Sequence, residues 1–191
     1  MQSEKAWSNM MILSPVFLVG ILMGIFFPDI DQMALSFLNH RSIVTHGLLV
    51  PLLLMMFRSA FLGVGMVLGV AVHISADVLS PAVGFGAIWL PLPFKISLGY
   101  LSYAWNIVNI FFGVYIFKSF VTLLCGKKNS GLIFFVFTIA VSTVYVVLHR
   151  ENFVTIIVAF MSSALAYKLN IRVIDTFVAR SAIRVGSSAH G

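Results

Sequence analysis

The sequence has little cysteine and little charge. Cys125 is the only cysteine among 191 residues, which excludes intramolecular disulfides and clusters of thiolate metal ligands. Charged residues make up 9% of the chain and hydrophobic residues 60%, and the mean hydropathy is +1.05. A soluble domain of this size could not bury so much apolar surface, so we predict an integral membrane protein.

Apolar runs of bilayer-crossing length recur along the chain. A spanning helix needs roughly 20 mostly apolar residues. The Pro- and Gly-rich stretch 80–97 is too interrupted for a span, and we predict an interfacial loop there with Trp89 at headgroup depth. The fold class is therefore predicted to be an all-α, polytopic transmembrane helix bundle with about six spanning helices, at 10–27, 43–58, 60–79, 103–124, 131–148 and 153–169.

The length fits a single integral membrane domain over residues 1–191. Two Gly-xxx-Gly pairs, Gly20/Gly24 and Gly65/Gly69, predict places where helices approach each other closely. We divide the chain into a motif-bearing half, a set of helices that completes the bundle and a basic cytoplasmic tail, at 15–97, 98–170 and 171–191.

Basic residues outnumber acidic ones, and their positions predict how the chain is oriented. The formal net charge is +6. With six spans, most lysines and arginines lie on the face that carries both termini, so the positive-inside rule places both termini in the cytoplasm. Because membrane orientation explains the basic residues, we expect a lipid bilayer as partner and no nucleic acid.

The few acidic and histidine side chains are concentrated in three short motifs. These are PDID at 28–31, HRSIVTH at 40–46 and HISAD at 73–77. In the predicted topology all three reach the outer end of the bundle. The chain has four Asp and five His, and three of each fall within one set of candidate metal ligands: Asp29, Asp31, His40, His46, His73 and Asp77.

Carboxylates and imidazoles without thiolates are a suitable ligand set for Zn²⁺, with Mn²⁺ or Fe²⁺ as alternatives. His73 and Asp77 are four residues apart and share one helix face. Six groups are enough for one or two ions, and two ions can activate water for a displacement reaction. Arg41 is suited to bind a phosphate or carboxylate, Lys95 is a second candidate for that role, and Thr45 is expected to support its neighbours by hydrogen bonding.

Each motif also has an interpretation without a metal. PDID can be a turn that ends a helix, and His73 with Asp77 can be a structural hydrogen bond inside the bundle. His40 can be a loop histidine, and we interpret Asp175 and Glu151 as surface charges. The placement of all three motifs at one end of the bundle favours the metal site, since separate structural roles give no reason for it.

The three motifs resemble those of the bacterial membrane-bound metal-dependent hydrolases, the LexA-regulated, YdjM-like family. That family has a PDxD after its first hydrophobic segment, then HRxxTHS, then an HxxxD before a Pro/Gly-rich stretch. The match covers about residues 15–97 and departs at Gly47, where the family usually has Ser. The resemblance implies a hydrolase whose metal is bound by these Asp and His residues. The family is also remotely similar to zinc-dependent phospholipases C, which favours phosphoester substrates.

We therefore predict a membrane-embedded metal-dependent hydrolase that cleaves a phosphoester of a lipid or lipid-linked substrate through a metal-activated water. Its location would be the bacterial inner membrane, with the site facing the periplasm at the outer leaflet. One alternative is a metal-ion transporter or channel, because acidic and imidazole groups in a helix bundle also mark ion pathways. Another is a non-catalytic membrane protein whose metal only joins helices.

Overall fold

The computed structural model describes residues 15–57, 59–79 and 87–188. Over these ranges the regular structure is helical, with isolated bridges and no strand, in agreement with the all-α prediction. A 3-10 helix, Pro28–Ala34, links the first two α-helices. The α-helices are α1 Pro15–Phe26, α2 Leu35–Leu38, α3 Leu49–Phe57, α4 Ala60–Asp77, α5 Leu101–His149, α6 Val154–Lys168 and α7 Arg172–Ser188.

Two of the described helices, α4 and α5, are long and apolar enough to cross a membrane. The number rises to four if each of two bent pairs forms one span. In the first pair α1 meets Pro28–Leu38 at 52°, and in the second α6 meets Arg172–Ala182 at 98°. The chain thus has the helices of a membrane protein, as its composition predicts.

Helix α5 folds back on itself at Gly126. Gly126 has φ 72° and ψ 163°, a left-handed conformation that glycine adopts without the steric cost of a Cβ. The Phe117 ring lies 5.8 Å from the Phe134 ring, whereas 17 residues of straight helix would separate them by about 25 Å. The two arms of α5 therefore run antiparallel, and they coincide with the spans predicted at 103–124 and 131–148.

Helix α4 is the centre of the bundle, and nearly all of its residues are buried. From Ala60 to Val72 it is apolar on every face, which is the pattern of a helix surrounded by others. A Cβ on Gly20 or Gly24 would overlap the α4 backbone, and a Cβ on Gly65 or Gly69 would overlap the α1 backbone. The close helix contact predicted from the two Gly-xxx-Gly pairs is thus confirmed, and it joins α1 to α4.

Helix α4 and the first arm of α5 are antiparallel, which gives the bundle two distinguishable ends. Phe61, at the start of α4, has its ring 5.0 Å from that of Phe120. Near the other end of α4, the His73 ring lies 5.6 Å from the ring of Tyr145, on the second arm of α5. We refer to the end that holds Phe61 and Phe120 as the Gly126 end, and to the end that holds His73 and Tyr145 as the His73 end.

The structure differs from the predicted spans at 43–58, where it has only the nine-residue helix α3 after a series of turns. The turns form because backbone groups of residues 41–43 bond to another segment instead of to their own helix. Trp89 N–H donates to the Arg41 carbonyl at 2.9 Å, and Ile43 N–H donates to the Trp89 carbonyl at 2.8 Å. Of the interfacial loop predicted at 80–97, residues 80–86 lie outside the part of the chain that the structure describes.

The segment 171–191, predicted to be a basic tail, carries regular structure. Most of this segment forms helix α7. Ile174, Phe177 and Val178 recur at helical spacing and pack against the buried core. Charged residues of the same segment, including Arg172, Asp175 and Arg180, lower its mean hydropathy and leave a narrow apolar stripe on one face of the helix.

Candidate metal centre

Asp31 is positioned by the bend that follows α1. Pro28 opens the 3-10 helix, where its missing N–H costs nothing, and the chain turns so that Asp31 is fully buried. Asp31 Oδ2 accepts hydrogen bonds from the Ser42 N–H at 2.9 Å and from the Thr45 hydroxyl at 2.8 Å. Its Oδ1 lies 3.3 Å from His40 Nδ1. Asp31 therefore anchors the HRSIVTH segment to the end of α1.

The HRSIVTH segment itself follows a tightly turned path. Asn39 and Arg41 have φ of 59° and 60°, a left-handed conformation that is uncommon for residues other than glycine. The backbone bonds of Trp89 hold this path in place. As a result, His46 lies fully buried beside α4, and Arg41 is also buried.

Three potential ligands come together where the segment meets α4. They are His46, His73 and Asp77, all buried, and one ligand atom from each lies within 4.8 Å of the other two. His46 Nε2 is 3.1 Å from Asp77 Oδ2, and His73 Nε2 is 3.5 Å from the same oxygen. His73 and Asp77 meet because they are one helical turn apart. We call these three residues the triad.

The hydrogen bonds of His73 determine which of its nitrogens carries a proton. Nδ1 lies 2.9 Å from the Ile25 carbonyl oxygen, which can only accept. Nδ1 therefore carries the hydrogen, and in the neutral ring Nε2 presents a lone pair. That lone pair lies close to a carboxylate oxygen, an arrangement that is repulsive unless a proton or a metal ion lies between the two atoms.

His46 is arranged in the same way. Its Nδ1 lies 3.1 Å from Thr45 Oγ1 and 3.4 Å from Asp31 Oδ2. Because the Thr45 hydroxyl donates to Asp31, its oxygen is left to accept from Nδ1–H, and Nε2 again presents a lone pair. A histidine that ligates a metal usually donates its other N–H to a carboxylate, a carbonyl or a water. His73 meets that condition through the Ile25 carbonyl, and His46 has the Thr45 hydroxyl, itself bonded to the Asp31 carboxylate, in the same role.

Two atoms of the triad are buried without a hydrogen-bond partner among the described residues: His46 Nε2 and Asp77 Oδ2. They are 3.1 Å apart, yet the contact lacks the alignment of a hydrogen bond. Zinc with bonds of about 2.0–2.1 Å to tetrahedral ligands separates those ligands by about 3.3 Å. The distances of 3.1 and 3.5 Å to Asp77 Oδ2 bracket that value, so the triad could hold a metal ion.

Arg41 belongs to the same site through the second oxygen of Asp77. Its guanidinium lies 2.9 Å from Asp77 Oδ1, and both side chains are largely buried. This contact fixes the carboxylate so that Oδ2 is directed at the two histidines. The same contact places a guanidinium directly beside the triad.

The other candidates lie outside the triad. Asp29 is half-buried and accepts a hydrogen bond from Gln32 Nε2 at 3.1 Å. His40 contacts Asp31, and its ring centroid is 6.4 Å from that of His46. Lys95 is exposed in the segment after Trp89, and within the described ranges no contact joins its side chain to the triad.

The sequence-based set omitted several residues that support the triad. The Trp105 indole N–H donates to the His46 carbonyl at 2.6 Å, and Asn109 Oδ1 accepts from the Leu48 N–H at 3.0 Å. Tyr145 is buried with its hydroxyl 3.4 Å from His73 Nδ1. Asn109, a polar residue within an apolar helix, was the one detectable signal in the sequence.

Comparisons with protein-family models, curated proteins and solved structures find no match to this chain. The resemblance to the metal-dependent hydrolases therefore remains an expectation drawn from three motifs.

Proposed function

We propose that the protein is a membrane-embedded metal-dependent hydrolase that cleaves a phosphoester of a lipid or lipid-linked substrate. The observation that carries this proposal is the triad, in which two histidine lone pairs and one carboxylate oxygen converge without hydrogen bonds to one another. Three protein ligands with a fourth position open are the arrangement of catalytic zinc sites, whereas structural zinc sites use four. The triad supplies ligands for one ion, with zinc as the first candidate.

A metal bound there would supply Lewis acidity and lower the pKa of water at the site to about 7. The chain's own groups perform the remaining tasks. Asp31 and the Ile25 carbonyl fix the two imidazole rings in the tautomer that leaves Nε2 available. Arg41, on the adjacent carboxylate oxygen, would bind the substrate phosphate and stabilise the negative charge that develops on it.

The surroundings of the triad support a lipid substrate. Large apolar side chains are exposed at the His73 end, where a membrane would cover them: Met33, Phe37, Phe94 and Leu101. A cavity of about 660 Å³ with an almost wholly apolar lining includes Ile43 and Val44, which lie between Arg41 and His46 in sequence, and Trp105. Such a cavity could accommodate an acyl chain near the buried polar groups.

The predicted topology belongs to this proposal. Counting α1, the turns of 43–48 together with α3, α4, the two arms of α5 and α6 as six crossings would place both termini on one side and the triad on the other. By the positive-inside rule the termini would be cytoplasmic in a bacterial inner membrane. The triad would then face the outer leaflet, at the depth of lipid headgroups.

The first test is the metal content of the purified protein, measured by mass spectrometry beside Asp77→Asn and His73→Gln. We expect about one zinc per chain in the wild type and a loss of most of it in both variants. Glu151→Gln is the matched control, since it removes one exposed carboxylate while preserving size. Wild-type protein without metal after incubation with Zn²⁺, Mn²⁺ and Fe²⁺ would contradict the proposal.

Hydrolysis is tested separately with the metal-loaded protein on phosphoester lipids in detergent micelles. We expect turnover in the wild type and in Glu151→Gln, with a loss of at least 100-fold in Arg41→Gln, in keeping with the removal of one charge-stabilising donor. Metal binding without turnover of any phosphoester lipid, lipid-linked substrate or water-soluble phosphodiester would instead favour a metal site that only joins helices.

A further inference from the structure

A second polar site lies at the Gly126 end, outside the triad. A cavity of about 640 Å³ opens between the turn of α5 and the junction of α6 with α7. Three lysines line it: Lys118, Lys127 and Lys168. Nothing in the proposed hydrolase mechanism uses these residues.

The charge balance of this cavity favours an anion. Its lining holds three ammonium groups and one carboxylate, that of Asp175. The carboxylate accepts hydrogen bonds from the Ser119 and Tyr115 hydroxyls, so it is already engaged by neutral donors. The lining therefore carries a formal excess of two positive charges.

Lys118 is held in place, unlike an ordinary surface lysine. Its Nζ donates to the Leu169 carbonyl at 2.8 Å, at the end of α6, and lies 4.5 Å from the centre of the Tyr115 ring. Both contacts restrict the long side chain before any ligand arrives. Lys127 and Lys168 are exposed and remain able to approach a ligand from the two sides of the cavity.

We propose that this cavity binds a phosphate group, carried by an anionic lipid headgroup or free in solution. Lysine binds phosphate as a point charge with several donors, and basic pockets between membrane helices bind anionic headgroups. The site would be about 30 Å from the triad, because some 20 residues of α5 separate Trp105 from the turn at Gly126. It would therefore occupy the opposite leaflet.

The test measures binding of two probes to the full-length protein in detergent. Dioleoylphosphatidylglycerol is titrated in native mass spectrometry, and inorganic phosphate is titrated by calorimetry. We expect Lys127→Gln and Lys168→Gln each to weaken binding of at least one probe by about fivefold, the effect of one basic residue on an anionic headgroup. Lys127→Arg, which preserves the charge, should retain wild-type affinity.

Lys128→Gln is the matched control, because Lys128 is the exposed neighbour of Lys127 and does not line the cavity. Its affinity should change by less than twofold. If the cavity variants weaken binding of the lipid alone, the phosphate belongs to a lipid headgroup. If they weaken binding of inorganic phosphate, the phosphate comes from a soluble source. Equal weakening by all three lysine variants, or no binding of either probe, would overturn the proposal. Neither result bears on the triad.

Discussion

The two ends of the bundle differ in whether their charged side chains are buried or exposed. At the His73 end, Asp31 and Asp77 are buried. Asp31 accepts hydrogen bonds from Ser42 and Thr45, and Asp77 is paired with the Arg41 guanidinium. At the Gly126 end, Lys127 and Lys168 are exposed around an open cavity. A buried charge is stable only when it is paired, whereas an exposed lysine needs no partner. The first end is thus built around fixed contacts, and the second is open to an external ligand.

The largest effect should come from breaking the contacts of Asp31. Asp31→Ala leaves the buried Ser42 N–H without its acceptor and leaves the Thr45 hydroxyl only the Ser42 carbonyl, so we expect a loss of about 3–5 kcal/mol in the free energy of unfolding. Lys127→Ala, at the exposed end, should change it by less than about 0.5 kcal/mol. Chemical unfolding in detergent measures both. Similar losses in the two variants would show that the ends do not differ as described.

A second contrast lies in how closely helices approach each other. A Cβ on Gly24 would overlap the backbone of Met66, which cannot move easily, so Gly24→Ala should cost about 1–3 kcal/mol. A Cβ on Gly131 would be 3.1 Å from the far end of the Tyr167 side chain, which can rotate away. Gly131→Ala should therefore be neutral or slightly stabilising, by its helix propensity. Thermal unfolding of the two variants tests this, and a harmless Gly24→Ala would contradict the α1–α4 contact.

The smallest effect should come from a single hydroxyl. Thr45→Val removes the hydrogen bond to Asp31 and should cost about 1 kcal/mol, while Thr45→Ser should retain stability. Thr122→Val is the matched control, because the Thr122 hydroxyl only donates to the Lys118 carbonyl within its own helix. We expect it to change stability by less than about half as much. A larger loss in Thr122→Val than in Thr45→Val would reverse the comparison.

The sequence predicted individual elements well where the signal was local. The apolar runs at 103–124 and 131–148 correspond to the arms of α5, and the Gly20/Gly24 and Gly65/Gly69 spacings correspond to a real helix contact. It did not predict that 43–58 forms only the short helix α3, where backbone bonds to Trp89 replace helical ones. It also did not predict that the basic segment 171–191 forms helix α7 with an apolar stripe packed against the core.

The candidate site was predictable as a group of motifs but not as a set of contacts. His73 and Asp77 follow from helical spacing alone. The sequence gives no basis for separating Asp31, which holds His46 in position, from Asp77, which faces the triad. Asp175 was interpreted as a surface charge, yet it accepts hydrogen bonds from two side chains of α5 more than fifty residues away in sequence.

By itself, the sequence determined that the chain is helical and suited to a membrane, because composition and periodicity act within one turn or one span. It also determined that His73 and Asp77 share a helix face. Only the tertiary structure decided that His46 joins them, that Arg41 contacts the other oxygen of Asp77 and that three lysines surround one cavity. These contacts join residues from different helices, and they depend on the packing of α1 and α5 around α4.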